Sequence, residues 1–349
     1  MIKTDLWENA VYLYALSLLK GVGPQTLLRI TRSYPSAEAL TQASLEELHQ
    51  SFDRKLAEYL HQTLENNWPS AVNTAREVIQ KHVDKGVIPL PITSEKYPPL
   101  LKPISDAPVI LYAKGDISIL QQTDAVAVVG TREPTEQGVK IAHRIARECA
   151  SRGYVIVSGL AKGIDTAGHR GALDAGGKTV AVFGTALDKI YPAENKELAE
   201  KISKEAGVLV SELPFGQQGF KTAFVQRDRI QSGLSLCIIP VQTGCEGGTM
   251  HTVKFARAQK RLIVCPRPAE AEKTAIQYEG IWCLIREGKV QSFNADSEQH
   301  YAALIEKLRK VQARLLPSPE EIRGESENAM AVDPKPPARS LWDAEVENS

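Results

Sequence analysis

Several common protein classes are excluded by what the sequence lacks. Its 349 residues carry 42 basic and 42 acidic side chains, so the formal net charge is zero. A uniformly basic coat for nucleic acid would need a large basic excess, which leaves only a local basic groove for such a ligand. No apolar run is long enough to span a bilayer, and polar residues interrupt the first five positions. We therefore expect a cytoplasmic protein with no signal peptide and no membrane partner.

Cysteine is scarce, and its spacing does not match a metal site. Five cysteines are present, and no two of them form a Cys-x-x-Cys pair. Cys237 and Cys265 lie inside apolar segments, where cysteine usually behaves as a small buried hydrophobe. We expect reduced thiols in a cytosolic protein. Because His169 and His251 have no second ligand at metal spacing, we expect neither a metal nor another cofactor.

The glycine signatures of nucleotide enzymes are also missing. The turn that begins at Gly130 follows an apolar segment but lacks the second and third glycine of the dinucleotide fingerprint. A Walker lysine loop is absent as well. No nucleophile, base and orienting group can be assembled from the order of the residues. We predict no catalytic residues and a protein that is not an enzyme.

Four segments can be distinguished along the chain. Residues 1–82 have apolar positions at helical spacing and contain Gly21-Val22-Gly23-Pro24, which predicts a small all-α, SAM-like helix-hairpin-helix domain. A plain helical connection in a small bundle is the alternative to a DNA-contacting hairpin. Residues 83–122 predict an extended connector that packs on the main domain, and residues 123–315 form that domain. Residues 316–349 are rich in Pro, Ser and Glu, which predicts a disordered acidic tail.

Short apolar segments rich in valine and isoleucine recur through the main domain. Such strands are buried on both faces, which indicates a mainly parallel sheet with helices on each side. Right-handed crossovers then give a doubly wound, Rossmann-like α/β fold whose ligand lies beyond the carboxyl ends of the strands. The predicted strands are Ala125–Val129, Tyr154–Val157, Thr179–Phe183, Val208–Ser211, Leu236–Val241 and Leu262–Cys265. The predicted helices are Gly138–Ser151, Ala167–Ala175, Asn195–Glu205, Met250–Gln259 and Ser297–Leu315.

Three of these strands lead into glycine-containing turns that open helices. Glycine lets backbone N–H groups approach a phosphate, and the helix N-terminus adds partial positive charge. The first turn is Gly130-Thr131-Arg132, the second runs from Ser158 to Asp165, and the third contains Gly247-Gly248-Thr249. For Arg132 phosphate contact is favoured, whereas Asp165 is favoured as a helix cap.

Two arginines, Arg227 and Arg229, precede the third turn and are expected at the same rim. Two cations beside a glycine cradle suit a polyanion. The alternative is a surface ion-pair network formed with Asp228.

These segments together resemble the DprA/Smf family of bacterial DNA-processing proteins. The ordered matches span nearly the whole predicted folded region. They are Gly21-Val22-Gly23, Tyr97–Leu101, Ile104–Pro108, Val129–Arg132, Ser158–Asp165, His169–Leu173, Gly184–Asn195, Ser211–Pro214 and Arg229–Ser235.

The resemblance implies a non-enzymatic protein that binds single-stranded DNA, forms homodimers through the Rossmann-like domain and helps to load the RecA recombinase. Arg132 matches the family's principal DNA-binding arginine, and Lys162, Arg227 and Arg229 match a basic pocket. The predicted phosphate- or DNA-binding residues are Gly130, Thr131, Arg132, Ser158, Gly159, Lys162, Gly163, Lys189, Arg227, Arg229, Gly247, Gly248 and Thr249.

The chain also departs from the family pattern. Ala193 stands where relatives often carry a basic residue, which Lys189 could replace. Asp228 stands where the usual arginine–asparagine–arginine run has asparagine, and Glu246 adds a further acid to the third turn. We expect the acidic tail to stand in place of the winged-helix C-terminal domain that many relatives carry.

Two further functions remain open. The first is a nucleotide-binding sensor or nucleotide-processing enzyme similar to the lysine-decarboxylase-like superfamily. Gly247-Gly248-Thr249 fits its loop, but the glutamate expected on the following helix is missing. The second is a protein-interaction role in which the acidic tail docks a partner.

Aromatic residues on which the bases of single-stranded DNA could stack are few, and the candidates are Phe215, Phe220 and Phe224.

Overall fold

The computed structural model describes residues 4–217, 221–268 and 270–316. The described residues up to Gln312 group into one compact unit, so the predicted division near residue 82 stays a prediction. Apart from its first residue, the predicted tail 316–349 lies outside the described part of the chain, and so does Phe220.

Six helices form the N-terminal part of the chain, as the apolar spacing predicts. The turn after Ser17 contains Gly21 with φ of +84°, and Pro24 begins the second helix. Ser44 and Glu47 form a reciprocal capping box, which satisfies the free N–H groups at the start of a later helix. The helices are α1 (Thr4–Ser17), α2 (Pro24–Ser33), α3 (Ala37–Thr41), α4 (Leu45–Ser51), α5 (Arg54–Asn66) and α6 (Trp68–Asp84).

A nine-stranded sheet forms the centre of the molecule. Its strands are β1 (Ile88–Pro91), β2 (Ile110–Gly115), β3 (Ala125–Val129), β4 (Val155–Ser158), β5 (Thr179–Phe183), β6 (Gly207–Ser211), β7 (Cys237–Pro240), β8 (Leu262–Pro266) and β9 (Gln291–Phe293). Their spatial order is β1-β2-β6-β5-β4-β3-β7-β8-β9. All six predicted strands are present, and each end agrees with the prediction to within one residue.

The sheet is parallel from β6 to β9, which confirms the Rossmann-like α/β prediction. The connector supplies β1 and β2 as antiparallel strands, and β2 pairs with β6 through Tyr112 and Ser211. The connector is therefore part of the sheet. A buried apolar cluster joins the N-terminal helices to this edge through residues such as Leu16, Ile79 and Phe183.

Helices cover both faces of the sheet. They are α7 (Glu136–Ser151), α8 (Ile164–Asp174), α9 (Lys196–Lys201), α10 (Lys221–Gly233), α11 (Thr249–Ala258), α12 (Glu279–Arg286) and α13 (Glu298–Leu315). The predicted helix from Asn195 to Glu205 is α9 followed by a π-helical turn, Ile202–Ala206. Helices α10 and α12 and strand β9 were not predicted. Across the described ranges, no helix is long and apolar enough to cross a membrane.

The strand order reverses at β3. Its successor β4 lies on one side, and β7 pairs with it on the other. The loops that leave β3 and β7 diverge at such a reversal, which opens a crevice at the carboxyl ends of the strands.

Candidate nucleic-acid interface

A cleft of about 440 Å³ occupies the crevice between the ends of β3 and β7. Three of its walls come from the predicted glycine turns, and the fourth comes from α10. The lining includes Gly130, Thr131, Arg132, Ala161, Asp165, Phe224, Arg227, Asp228, Gln231, Thr243, Gly244, Gly247, Gly248 and Thr249. The sheet therefore brings the three turns to one site, as expected.

The turn after β3 is fixed to the loop after β7. The N–H of Thr131 donates to the carbonyl of Gln242 at 2.7 Å. A Cβ on Gly130 would lie 2.6 Å from Ile164 and 2.9 Å from the Gln242 carbonyl, so only glycine allows this approach. The geometry leaves Arg132 exposed at the mouth of the cleft.

The second turn is held by contacts from its own residues and from neighbouring segments. Leu160 and Gly163 have φ of +60° and +79°, and a Cβ on Gly163 would lie 2.6 Å from the Thr131 carbonyl. Asn195 donates to the Leu160 carbonyl at 2.8 Å. The Asp165 carboxylate accepts the N–H of Ala161 at 3.3 Å, which is a structural role. It is not the predicted helix cap, because Ala161 precedes α8 and the N-cap position of that helix is Gly163, with no side-chain cap. Burial raises the pKa of Asp165, and the charge of Arg227 opposes that rise.

Ser158 and Gly159 lie beneath the cleft surface. The Ser158 hydroxyl is buried and donates to the carbonyl of Val128 at 2.7 Å, so it faces the protein interior. A Cβ on Gly159 would lie 2.1 Å from a guanidinium nitrogen of Arg227. These two predicted contact residues therefore shape the floor of the site.

Arg227 is a buried cation in that floor. Its guanidinium donates to the carbonyl of Gly159 at 2.7 Å and to that of Val182, and its Nε donates to Asp228 at 3.1 Å. Gln231 links the same residues by two further hydrogen bonds. With its amide in the matching orientation, the nitrogen donates to Asp228 at 3.1 Å and the oxygen accepts the N–H of Gly159 at 2.8 Å. The side chain of Arg227 is only 8% exposed.

Asp228 brings a carboxylate to the same wall. Burial raises its pKa to about 6, and the neighbouring Arg227 opposes this shift. The buried Arg227–Asp228 pair differs from both sequence interpretations, because it is neither a free rim cation nor a surface network.

Arg229 lies outside the cleft, so the predicted shared rim of two arginines is not formed. Its guanidinium donates to both carboxylate oxygens of Glu212, at 2.6 and 2.9 Å, and to the carbonyl of Asp106 at 3.0 Å. The reason is helical geometry: residues i and i+2 of a helix do not face the same side, and Arg227 and Arg229 both lie on α10.

Two glycines at the third turn are open toward solvent, whereas a Cβ on Gly247 would lie 2.9 Å from the hydroxyl of Thr243. A Cβ on Gly244 or Gly248 would meet nothing within 4 Å, so these positions border free space. Gly248 precedes α11, and Thr249 begins it. The N-terminus of α11 therefore faces the cleft beside Arg132 and adds partial positive charge there.

Two predicted lysines stand apart from the cleft. Lys162 is exposed and pairs with Glu194 at 2.5 Å, which lowers the pKa of that carboxyl. Lys189 is also exposed, in the loop after β5. Neither side chain is part of the cleft lining.

An aromatic pair borders Arg132. The guanidinium carbon of Arg132 lies 5.8 Å from the Phe224 ring centre, and Tyr191 lies 5.6 Å from the same ring. Tyr191 is 50% exposed and was not among the predicted aromatics. Phe215 instead stacks on His82 at 4.0 Å, so its ring is occupied within the fold.

A second depression of about 560 Å³ lies between α7 and α8. Its lining includes the basic residues Lys140, His143, Arg144, Arg147 and Arg170, together with Gly163 and Thr166. Gly163 lines this basic groove and lies against the carbonyl of Thr131, which lines the cleft, so the groove and the cleft border the same turn. The groove was missed, although Lys140, Arg144 and Arg147 recur at helical spacing on α7.

Charge in the basic groove is only partly neutralised. His143 contacts Asp174, Arg144 contacts Asp296 and Arg147 contacts Glu148. Lys140 and Arg170 are exposed, and within the described ranges no carboxylate lies within ion-pair distance of either. The same ranges contain no cluster of three His, Cys, Asp or Glu that could hold a metal ion.

The fold and the site define a Rossmann-like α/β protein whose switch-point cleft is lined by three glycine-containing turns. The family described as DNA recombination-mediator protein A matches residues 89–302, and the chain belongs to this family. DNA processing protein DprA of Bacillus subtilis (strain 168) is 34% identical over 256 residues, which is 73% of this chain and 84% of that protein.

Two solved structures are similar as well. The X-ray structure of Streptococcus pneumoniae DprA is 29% identical and matches with a TM-score of 0.59 over 80% of this chain and 97% of that one. Helicobacter pylori DprA, described with a single-stranded DNA binding mode, is 28% identical and matches with a TM-score of 0.55 over 61% of this chain and 94% of that one.

The contrast between a buried and an exposed arginine predicts different effects on stability. Arg227→Ala should lower the free energy of unfolding by about 3–5 kcal/mol, because it leaves Asp228 buried without its cation. Arg132→Ala should change it by less than about 0.5 kcal/mol, because that side chain is exposed. Urea unfolding followed by circular dichroism measures both. Equal stabilities for the two variants would contradict the structural role of Arg227.

Proposed function

We propose that the chain binds single-stranded DNA in the cleft and acts as a DprA-like recombination mediator without catalysing a reaction. The observation that carries the proposal is the meeting of three glycine turns and the free cation Arg132 at one edge of the sheet. Membership of the DNA recombination-mediator family supports it. The single-stranded DNA binding mode described for the Helicobacter pylori relative supports the choice of ligand.

The groups that border the cleft suit the phosphates and the bases of single-stranded DNA. Arg132 and the turn amides suit phosphate oxygens, which prefer charged and N–H donors. The ring of Phe224 lies next to Arg132 and the ring of Tyr191 lies next to Phe224, and unpaired bases can stack on such rings. Arg227 adds positive potential from below without contacting the strand.

A long polyanion fits the surface better than a mononucleotide does. A mononucleotide could occupy the cleft, but it could not also reach the basic groove on the far side of the Thr131 turn. An exposed arginine at the mouth of the cleft and a basic groove beside it favour a chain of phosphates. A calorimetric comparison of a mononucleotide with an oligonucleotide distinguishes a nucleotide sensor from a DNA-binding protein.

We also propose a homodimer formed through the Rossmann-like domain and a contact with the RecA recombinase, both as implied by the family resemblance. Light scattering of the purified protein tests the dimer. Capture of purified RecA by the immobilised full chain tests the partner. Both proteins should first be freed of DNA, so that one DNA strand bound to both cannot be mistaken for a direct contact.

Arg132→Ala should weaken binding of an oligonucleotide by about tenfold at low salt, because one charge-assisted phosphate contact is lost. The slope of log affinity against log salt concentration should fall by about 0.7. Fluorescence anisotropy of a labelled oligonucleotide measures both quantities. Arg54→Ala, which removes an exposed arginine from α5, is the matched control. An unchanged affinity for Arg132→Ala would overturn the cleft as the binding site.

Asp228 predicts a pH dependence of DNA binding. Its pKa is about 6 in the free protein, so lowering the pH from 7.5 to 5.5 adds a proton and removes a negative charge from the cleft. Affinity should therefore rise as the pH falls. Asp228→Asn should bind more tightly at pH 7.5, on the order of tenfold at low salt, and should show a flatter pH profile. A variant with the same profile as the parent would contradict this assignment.

The basic groove predicts a dependence on strand length. Lys140→Glu combined with Arg170→Glu should leave binding of an oligonucleotide short enough for the cleft unchanged. It should weaken binding of a longer one and lower its salt slope by about 1.4, because two phosphate contacts are lost. Anisotropy titrations over a series of lengths measure the effect. An equal loss of affinity for short and long oligonucleotides would argue against a DNA path that runs from the cleft into the basic groove.

A further inference from the structure

Two cysteines far apart in sequence meet beside the cleft. The sulfurs of Cys245 and Cys283 lie 2.8 Å apart, although the residues are separated by 38 positions. Cys245 is exposed in the loop after β7, and Cys283 is half-buried in α12. The other three cysteines, Cys149, Cys237 and Cys265, are buried.

The approach of the two sulfurs is set by the packing of α12 on the loop of the third turn. The N–H of Gly280 donates to the carbonyl of Thr243 at 2.8 Å. A Cβ on Gly280 would lie 2.5 Å from the Gly244 carbonyl, so a larger residue would push the helix away. The backbone therefore holds Cys245 and Cys283 together before any bond forms between them.

The surroundings of the pair distinguish the two thiols. The guanidinium of Arg286 donates a hydrogen bond to the sulfur of Cys283 at 3.7 Å. The hydrogen bond with Cys283 raises the pKa of Cys245, which keeps the proton on that thiol. Both sulfurs border an open depression of about 530 Å³ that also contains Lys273 and Trp282, so a small oxidant has access.

We infer that Cys245 and Cys283 form a reversible redox site that closes to a disulfide on reaction with a peroxide. The Cys283 sulfur attacks one oxygen of hydrogen peroxide, the O–O bond breaks, and the leaving hydroxide takes the thiol proton to give water. The Cys245 sulfur then attacks the resulting sulfenic acid at Cys283, the S–O bond breaks, and a second water leaves with the Cys245 proton. Two electrons pass from the sulfurs to the peroxide, and a dithiol reductant reverses the change.

The disulfide would tie the cleft to α12. Cys245 lies between Gly244 and Gly247, two glycines that line the cleft. A bond to α12 removes the freedom of this loop to swing away from a bound strand. This consequence rests on the proposed DNA-binding function, whereas the redox chemistry does not.

The full-length protein treated with hydrogen peroxide tests the redox site. Alkylation of remaining thiols and peptide mass spectrometry should show a Cys245–Cys283 peptide pair 2 Da lighter than its two thiol peptides, and dithiothreitol should restore both thiols. Cys245→Ser should leave Cys283 as a sulfenic acid that dimedone traps. Full alkylation of both cysteines after peroxide, or a disulfide only between two chains, would overturn the inference.

A DNA measurement tests the link to the cleft. An oligonucleotide should dissociate at least twofold more slowly from the oxidised protein than from the reduced protein, and Cys245→Ser should show no such difference. Equal dissociation rates in spite of a mapped disulfide would overturn the link. Absence of DNA binding by both forms would instead overturn the proposed function and leave the redox site standing.

Discussion

The guanidinium of Arg227 joins three elements of the fold beneath the cleft. It bonds the carbonyl of Gly159 in the second turn, the carbonyl of Val182 in β5 and the carboxylate of Asp228 in α10. A buried cation is costly unless all of its N–H groups find acceptors. The turn, the strand and the helix therefore have to adopt one relative arrangement, which also opens the cleft above them.

This arrangement separates two tasks that arginine can perform. Arg227 contributes potential and position but is too deeply buried to contact a ligand. Arg132 is exposed and available for contact, and its guanidinium lies 5.8 Å from the ring centre of Phe224. Asp228 moderates the positive charge between them, and its raised pKa makes that moderation sensitive to pH. The cleft thus combines a fixed floor with an adjustable charge.

The sheet could be predicted because its strands depend on local composition. Short apolar runs rich in valine, such as Ala125–Val129 and Thr179–Phe183, are buried on both faces of the sheet, so their limits follow from local composition. The glycine turns were recognised for the same reason. Helix α10 was missed because its buried face carries Arg227, Asp228 and Gln231, and a pattern of apolar residues cannot report a buried polar face.

Residue types decided which secondary structures form and which turns suit an anion, because backbone preferences and burial of apolar side chains act over a few neighbouring positions. Packing decided what those turns present to a ligand. It turned Arg229 toward Glu212, buried Ser158 and Arg227, and brought Tyr191 next to Phe224. It also placed the basic groove beside the turn at Thr131 and brought Cys245 next to Cys283. These outcomes depend on contacts between distant segments, and the direction of each side chain is fixed only when the helices and strands pack together.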